Sequence, residues 1–270
     1  MYKFSRSSNQ ASFRADRPIT VEEIQHYAPS VMTDTPHQSR AQSYKVISTF
    51  NVLESMQDEG FFPYEVRQTR VRDQNKREFT RHMVRLRHIN NLSNGHEVPE
   101  IVLLNSHDGT SSYQLMSGIF RMVCSNGLIA GSIFDDIRIR HSGNVIDNVI
   151  EGSYRVLSDI EAVQGCVERY KNTQLSIGQK VDFAKQAIEL RWGEDSPIQN
   201  PERMLNIHRG ADRSSDLWTT YNVIQENIVR GGLAGRSETG RRMTTRAVGG
   251  VNELVRLNRG LWDIADKMAA

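Results

Sequence analysis

Arginine dominates the chemistry available to this 270-residue chain. Between Arg67 and Arg87 stand eight basic residues, Arg67, Arg70, Arg72, Lys76, Arg77, Arg81, Arg85 and Arg87, opposed only by Asp73 and Glu78. The stretch carries +6, leaving −4 for the remainder of a chain whose formal total is +2. Charge gathered in one place attracts a polyanion locally without making the whole surface adhesive. Guanidinium forks match phosphate oxygens well. The competing explanation is a solvated sheet face that uses charge to discourage edge pairing. A second basic stretch runs from Arg230 to Arg246. It holds Arg230, Arg236, Arg241, Arg242 and Arg246 with Gly231, Gly232, Gly235 and Gly240, and one acid, Glu238. Glycines let backbone N–H groups approach an anion, and a basic loop can order on a polyanion. A plain surface loop is the alternative.

Other chemistry is thinner. Gly235 to Arg242 approaches the phosphate-loop pattern and fails it. Arg241 stands where lysine is required and Arg242 where a hydroxyl must hold magnesium, and a helix rather than a strand precedes. The run Asn105-Ser106-His107-Asp108-Gly109-Thr110 offers a base or a metal ligand, with Cys124 a potential nucleophile. No HxxxH or second carboxylate cluster supplies further ligands. A hydrogen-bonded turn explains His107 and Asp108 as well, and a buried thiol explains Cys124. Trp192, Trp218, Tyr221 and Trp262 fit a helical core; Phe61, Phe62, Tyr64 and Phe79 lie where a base could stack on the basic hairpin, although burial is the default reading there too.

These residues need elements to hold them. Thr20-Val21-Glu22-Glu23 has capping-box spacing and predicts a short helix that stops by Pro29. A second helix runs from Ser48 or Thr49 through Glu59, with Val52, Leu53 and Met56 on one face, ending at Gly60. Period-two alternation then predicts strands at Tyr64–Arg72 and Phe79–Ile89, joined by a turn over Asp73–Lys76. His82, Val84, Leu86 and His88 share one face of the second strand. Arg81, Arg85 and Arg87 share the other, an exposed ladder over phosphates. Asn94-Gly95 marks a turn. Glu100–Ser106, Ser112–Met116 and Ile133–Arg140 read as strands, and Ile119–Ser125 as either helix or strand. From Val145 onward the spacing is helical: Val145 to Ile160, Ser176 to Trp192, Ser215 to Val229 and Val251 to Met268. Asn258 falls on the apolar stripe of the last helix and calls for a polar partner.

The fold class is therefore α+β: an antiparallel sheet with helices in the N-terminal half and a helical C-terminal half. The expected division is residues 1–145, carrying the basic hairpin, and 146–270, packed on the first. Hydrophobic residues at 38% and charged residues at 24% exclude general disorder. No apolar run reaches the roughly eighteen residues of a membrane span, and residues 1–17 lack the apolar core of a secretory signal. Two cysteines without a CxxC pair argue for neither a disulfide framework nor a zinc site, and for a reducing cytoplasm. Neither a cofactor nor a metal is expected.

Several stretches, read together, resemble a known family. They are Gln68 to Asp73, Asn105 to Gly109, Cys124 to Gly127, Gln225-Glu226-Asn227, Gly231-Gly232, Arg246, Leu257-Asn258 and Leu261-Trp262. They resemble the YfjQ/YafZ-like family, a domain of unknown function carried by prophages, plasmids and conjugative elements. The likeness runs from about Arg17 to the final helix. It implies work on foreign DNA (replication, annealing or recombination) or evasion of host defence, and it supplies no catalytic residue. By analogy alone, the hairpin with its helices looks like the single-strand annealing proteins. The expected function is non-catalytic binding of nucleic acid, DNA and its single strands above all. Phosphates would be held by Arg67–Arg87 and by Arg236, Arg241, Arg242 and Arg246. The alternatives are a protein-binding inhibitor of a host defence system and an enzyme centred on His107 and Asp108. Self-association as a homo-oligomer is left open.

Overall fold

The capping box at Thr20 forms as its spacing predicts. Glu23 N–H donates to Thr20 Oγ1 over 3.3 Å, and Thr20 N–H donates to Glu23 Oε2 over 2.8 Å. Helix α1 (Val21–Tyr27) follows. The computed structural model describes residues 11–35, 48–71, 73–91, 97–108, 112–122, 126–131, 136–139 and 144–270. Asn94-Gly95, Cys124, Arg72 and half of the run from Ile133 to Arg140 lie outside the described residues. Helix α2 (Thr49–Asp58) buries Val52, Leu53 and Met56, the face that the spacing selects. Gly60 turns the chain at φ +85°, a conformation that side chains rarely adopt.

The strands are β1 (Ser12–Arg14), β2 (Phe61–Gln68), β3 (His82–His88), β4 (Glu97–Asn105), β5 (Tyr113–Arg121), β6 (Asn126–Ile129) and β7 (Ile137–Ile139). They form one sheet of order β1-β2-β3-β4-β5-β6, with β7 also on β5. The expected hairpin is present as the antiparallel pair β2 and β3. Its strands are shorter than alternation suggests. A 3-10 turn (Gln74–Phe79) occupies the connection, opened by Asp73 accepting from Asn75 N–H over 3.0 Å. Pro63 sits inside β2, where its missing N–H is tolerated because a bulge falls there and β1 pairs only with residues 65–67. Of the ambiguous run from Ile119 to Ser125, Ile119 to Arg121 is strand, the end of β5, and Val123 to Ser125 lie outside the described residues.

Helices α3 (Val145–Ser158), α4 (Ile160–Asn172), α5 (Ile177–Trp192), α6 (Leu217–Arg230) and α7 (Val251–Met268) follow. The expected helix from Val145 to Ile160 ends at Ser158, and beyond the break at Asp159 stands a further helix, α4, that spacing did not mark. The stretch between α6 and α7, expected as a loop, is a hairpin of β8 (Ala234–Arg236) and β9 (Arg242–Thr244). No helix among the described residues is long and apolar enough to cross a membrane.

The chain divides into two compact units: 1–93 with 100–116 and 136–156, and 94–99 with 117–135 and 157–270. In the first, α2 packs on β2, and Gly152 brings α3 against the sheet. A Cβ at Gly152 would stand 2.8 Å from Leu115 Cδ1. In the second, α6 is buried from Leu217 through Ile228, among α4, α5 and α7. Trp218, Tyr221, Trp262 and Tyr170 form its aromatic centre. Asn258 is buried on α7 as expected. Its Oδ1 accepts from Gln225 Nε2 over 3.2 Å, and its Nδ2 donates to Leu254 O over 2.8 Å.

Two glycines share nearly one backbone conformation in different surroundings. Gly193 after α5 has φ 63°, ψ −144°, and Gly231 after α6 has φ 68°, ψ −153°. A Cβ on Gly193 meets nothing within 4 Å, whereas one on Gly231 would stand 2.5 Å from the Arg246 carbonyl carbon. Gly193→Ala should cost only the conformational strain, on the order of 1–3 kcal/mol. Gly231→Ala should cost roughly 1–3 kcal/mol more from overpacking. Urea midpoints of the two variants check this; equal midpoints would contradict the close approach at Gly231.

Candidate nucleic-acid interface

Register decides where the arginines of the first hairpin go. Arg14 on β1, Glu65 on β2 and Arg85 on β3 lie directly opposite one another. One rung past the Leu86–Ile101 pair, Arg87 meets Glu100 on β4. Arg14 Nε donates to Glu65 over 2.9 Å, Arg85 Nη1 to Glu100, and Arg87 Nε to Glu100 over 2.9 Å. Arg85 Nε stands 3.7 Å, and Arg67 Nη2 3.4 Å, from Glu65. Arg85 and Arg87 are only 0% and 4% exposed, and the Arg87 guanidinium lies 4.3 Å from the Tyr64 ring centroid.

The expected exposed ladder of Arg81, Arg85 and Arg87 is therefore corrected: Arg85 and Arg87 are interior, and Arg81 is half-buried. The physical reason is that charge counted along residues 67–87 omits the two carboxylates that pairing brings in from outside that window. A desolvated guanidinium without such partners would cost several kcal/mol. Burial pushes Glu65 upward, but Arg14, Arg67 and Arg85 outweigh it and hold the carboxyl at about 2. Arg67 is mostly buried, and Arg72 is outside the described residues. Arg70, Lys76 and Arg77 remain exposed at the hairpin tip.

The opposite face of β3 carries a buried polar network that alternation along the chain did not reveal. Thr49 Oγ1 accepts from Asn105 Nδ2 over 2.9 Å and lies 2.9 Å from His82 Nε2 and 3.3 Å from the Tyr113 hydroxyl. The rings of His82 and His107 are 5.4 Å apart. Burial first, and then His107, push the His82 pKa well below its ordinary value, against the Thr80 carbonyl. His107 is buried at the end of β4, and Asp108 is half-buried. Among the described residues no three His, Cys, Asp or Glu side chains stand where they could hold a metal. The placement of Thr49 on the first turn of α2, beneath His82, was the missing information.

The second basic stretch turns its charge outward. Arg236, Arg241, Arg242 and Arg246 are all exposed. The β8–β9 hairpin is rigid at its base, where Gly232 N–H donates to Thr245 O and Thr245 N–H to Leu233 O, both over 2.8 Å. Its tip is closed by Gly240 at φ +77° and by Arg236 Nη1 donating to Gly240 O over 3.0 Å. Gly235 lets the strand graze the preceding segment: a Cβ there would stand 2.5 Å from Pro197 O, which accepts Arg236 N–H over 2.9 Å. Arg203 Nη1 then donates to Ala234 O over 2.5 Å. Between these pieces lies a groove of about 420 Å³ lined by Arg203, Arg236, Arg242, Gln199 and Asn200 among others. Arg203 was not singled out in the sequence; it is distant along the chain and joins the group only through its bond to Ala234. Arg230 is exposed and 3.6 Å from Glu226, which in turn holds Arg209 through two bonds of 2.8 and 2.7 Å.

The structure thus defines an α+β protein with an antiparallel sheet, buried arginine–glutamate pairing and an outward arginine hairpin. The chain belongs to the family described as Domain of unknown function (DUF932), whose model matches residues 36–262. It is 46% identical over 255 residues to the UPF0380 protein YfjQ of Escherichia coli (strain K12), covering 94% of this chain and 93% of that protein. The same figures hold for the UPF0380 protein YafZ of that strain. No solved structure matches.

Glu65 is ionised in the folded protein down to about 2, against an ordinary value of 4.5. The stability it supplies is complete above that ordinary value and is lost as pH falls toward 2, on the order of 3 kcal/mol in all. Glu65→Gln should flatten the acid limb of a stability-against-pH curve below about pH 4.5. It should also lower stability at neutral pH by roughly 3–5 kcal/mol, because buried guanidiniums lose their partner. An unaltered acid limb in the variant would show that Glu65 is not the buried counter-ion.

Proposed function

We propose that this is a non-catalytic nucleic-acid-binding protein that grips phosphates through the β8–β9 hairpin, with single-stranded DNA as the favoured ligand. The observation that carries the reading is the outward cluster of Arg203, Arg236, Arg241, Arg242 and Arg246 on a braced scaffold. Only Glu202 and Glu238 oppose it within residues 199–203 and 230–246. Guanidiniums on a rigid hairpin lose less freedom on contact than a loose loop would, so more of each phosphate contact appears as affinity. The groove beside α1, about 590 Å³, is a poorer phosphate site, because Glu22 and Glu78 line it together with Arg77. The proposal includes the setting that the family resemblance implies, a cytoplasmic product of a mobile genetic element acting on DNA.

Salt titration of binding tests this. Each phosphate contacted on a single strand adds roughly −0.7 to the slope of log affinity against log salt. Replacing Arg236, Arg241 and Arg242 together by Ala should flatten the slope by about 2, with a similar loss on unrelated sequences. Replacing Arg70, Lys76 and Arg77 should leave it nearly unchanged. An unaltered slope in the first variant would refute the interface, and a flattened one in the second would move it to the other hairpin.

A further inference from the structure

The groove beside the β8–β9 hairpin contains more than charge. Met243 and Pro197 form part of its lining together with the guanidiniums. Met243 is 40% exposed, between Arg242 and Thr244 on β9. A phosphate makes no use of an apolar wall. A nucleobase does, because a polarisable thioether packs favourably against an aromatic ring. Gln199 and Asn200 add carboxamides, which carry the paired donor and acceptor that a base edge presents. Asn200 is already oriented: its Oδ1 accepts Glu202 N–H over 2.9 Å at the start of the 3-10 turn Pro201–Leu205. The volume of about 420 Å³ lies within the roughly 300–1,000 Å³ of small-molecule sites.

We infer that this groove receives one unpaired nucleobase of a bound strand, against Met243 and Pro197, while Arg203, Arg236 and Arg242 hold the flanking phosphates. The inference rests on the phosphate-binding reading of the hairpin and adds to it the origin of strand preference. A base in a duplex enters only after unstacking and unpairing, which costs a few kcal/mol. A single strand presents its bases without that cost, and stacking on a protein surface tolerates any sequence.

The test uses the full chain and three ligands of about 20 nucleotides, longer than the roughly 4–16 covered by one single-strand module. They are an oligothymidine, the same strand with abasic residues throughout, and a duplex. The intact strand should bind about tenfold more tightly than the abasic one at equal salt, and more tightly than the duplex. Met243→Ala should bring the intact-to-abasic ratio close to one while leaving the salt slope unchanged, and Met243→Leu should retain most of the preference. Met243 is exposed, so the fold does not depend on it. Salt-dependent binding that is equal for intact and abasic strands would overturn the base pocket and leave the phosphate interface standing. So would a preference that survives Met243→Ala. Absence of salt-dependent binding to all three would overturn both.

Discussion

Glu65 and Glu100 are the carboxylates on which the first unit depends. They lie on strands either side of β3 and receive Arg85 and Arg87 in the interior, with the half-buried Arg14 reaching Glu65 from the edge strand β1. Without them that face of the sheet could not leave water, since each stripped guanidinium carries a penalty of several kcal/mol. Such pairs add little net stability compared with an apolar core, but they fix the alignment of the strands. A slip of one residue would carry Arg85 to the face of Val84, Leu86 and Ile101, where none of the residues paired with β3 is a carboxylate. The ion pairs therefore act as register pins, and the buried network of Thr49, His82 and Asn105 on the other face depends on the same alignment.

The second unit applies the same rule at a helix. Glu226, buried on α6, holds Arg209 by two hydrogen bonds, and Arg209 with Arg121 also engages the buried Asp212. Asn227 donates to the carbonyls of Met204 and Asn206, each over 2.9 Å, and its Oδ1 lies 2.9 Å from His208 Nε2. Glu226 and Asn227 are thus an internal clamp on the segment before α6, while Gln225 reaches Asn258 on α7. The hairpin that follows α6 presents its arginines to solvent on a backbone tied at base and tip.

Much of the architecture was legible along the chain because local chemistry decides it. The capping box at Thr20, the helix that follows Ser176 and the apolar stripe of α7 all appear where spacing places them. The pairing of β2 with β3 was legible from alternation. The fate of Arg85 and Arg87 was not, because it depends on Glu65 and Glu100, whose role emerges only from cross-strand register. The β8–β9 hairpin was illegible for another reason. Its strands are three residues long and rich in glycine and arginine, so neither periodicity nor β-propensity marks them. Arg203 entered the site through a bond to a backbone carbonyl, which no residue pattern announces.

One set of arginines is committed to the interior, while the other is exposed and is the set proposed to meet a polyanion. Arginine-selective modification by a dicarbonyl reagent, read residue by residue by mass spectrometry with and without a single-stranded oligonucleotide, tests both halves at once. Arg236, Arg241 and Arg242 should react readily in the free protein and be shielded by the strand, while Arg85 and Arg87 stay inert in both states. Ready modification of Arg85 and Arg87 with shielding there, and no shielding at the β8–β9 hairpin, would contradict the account.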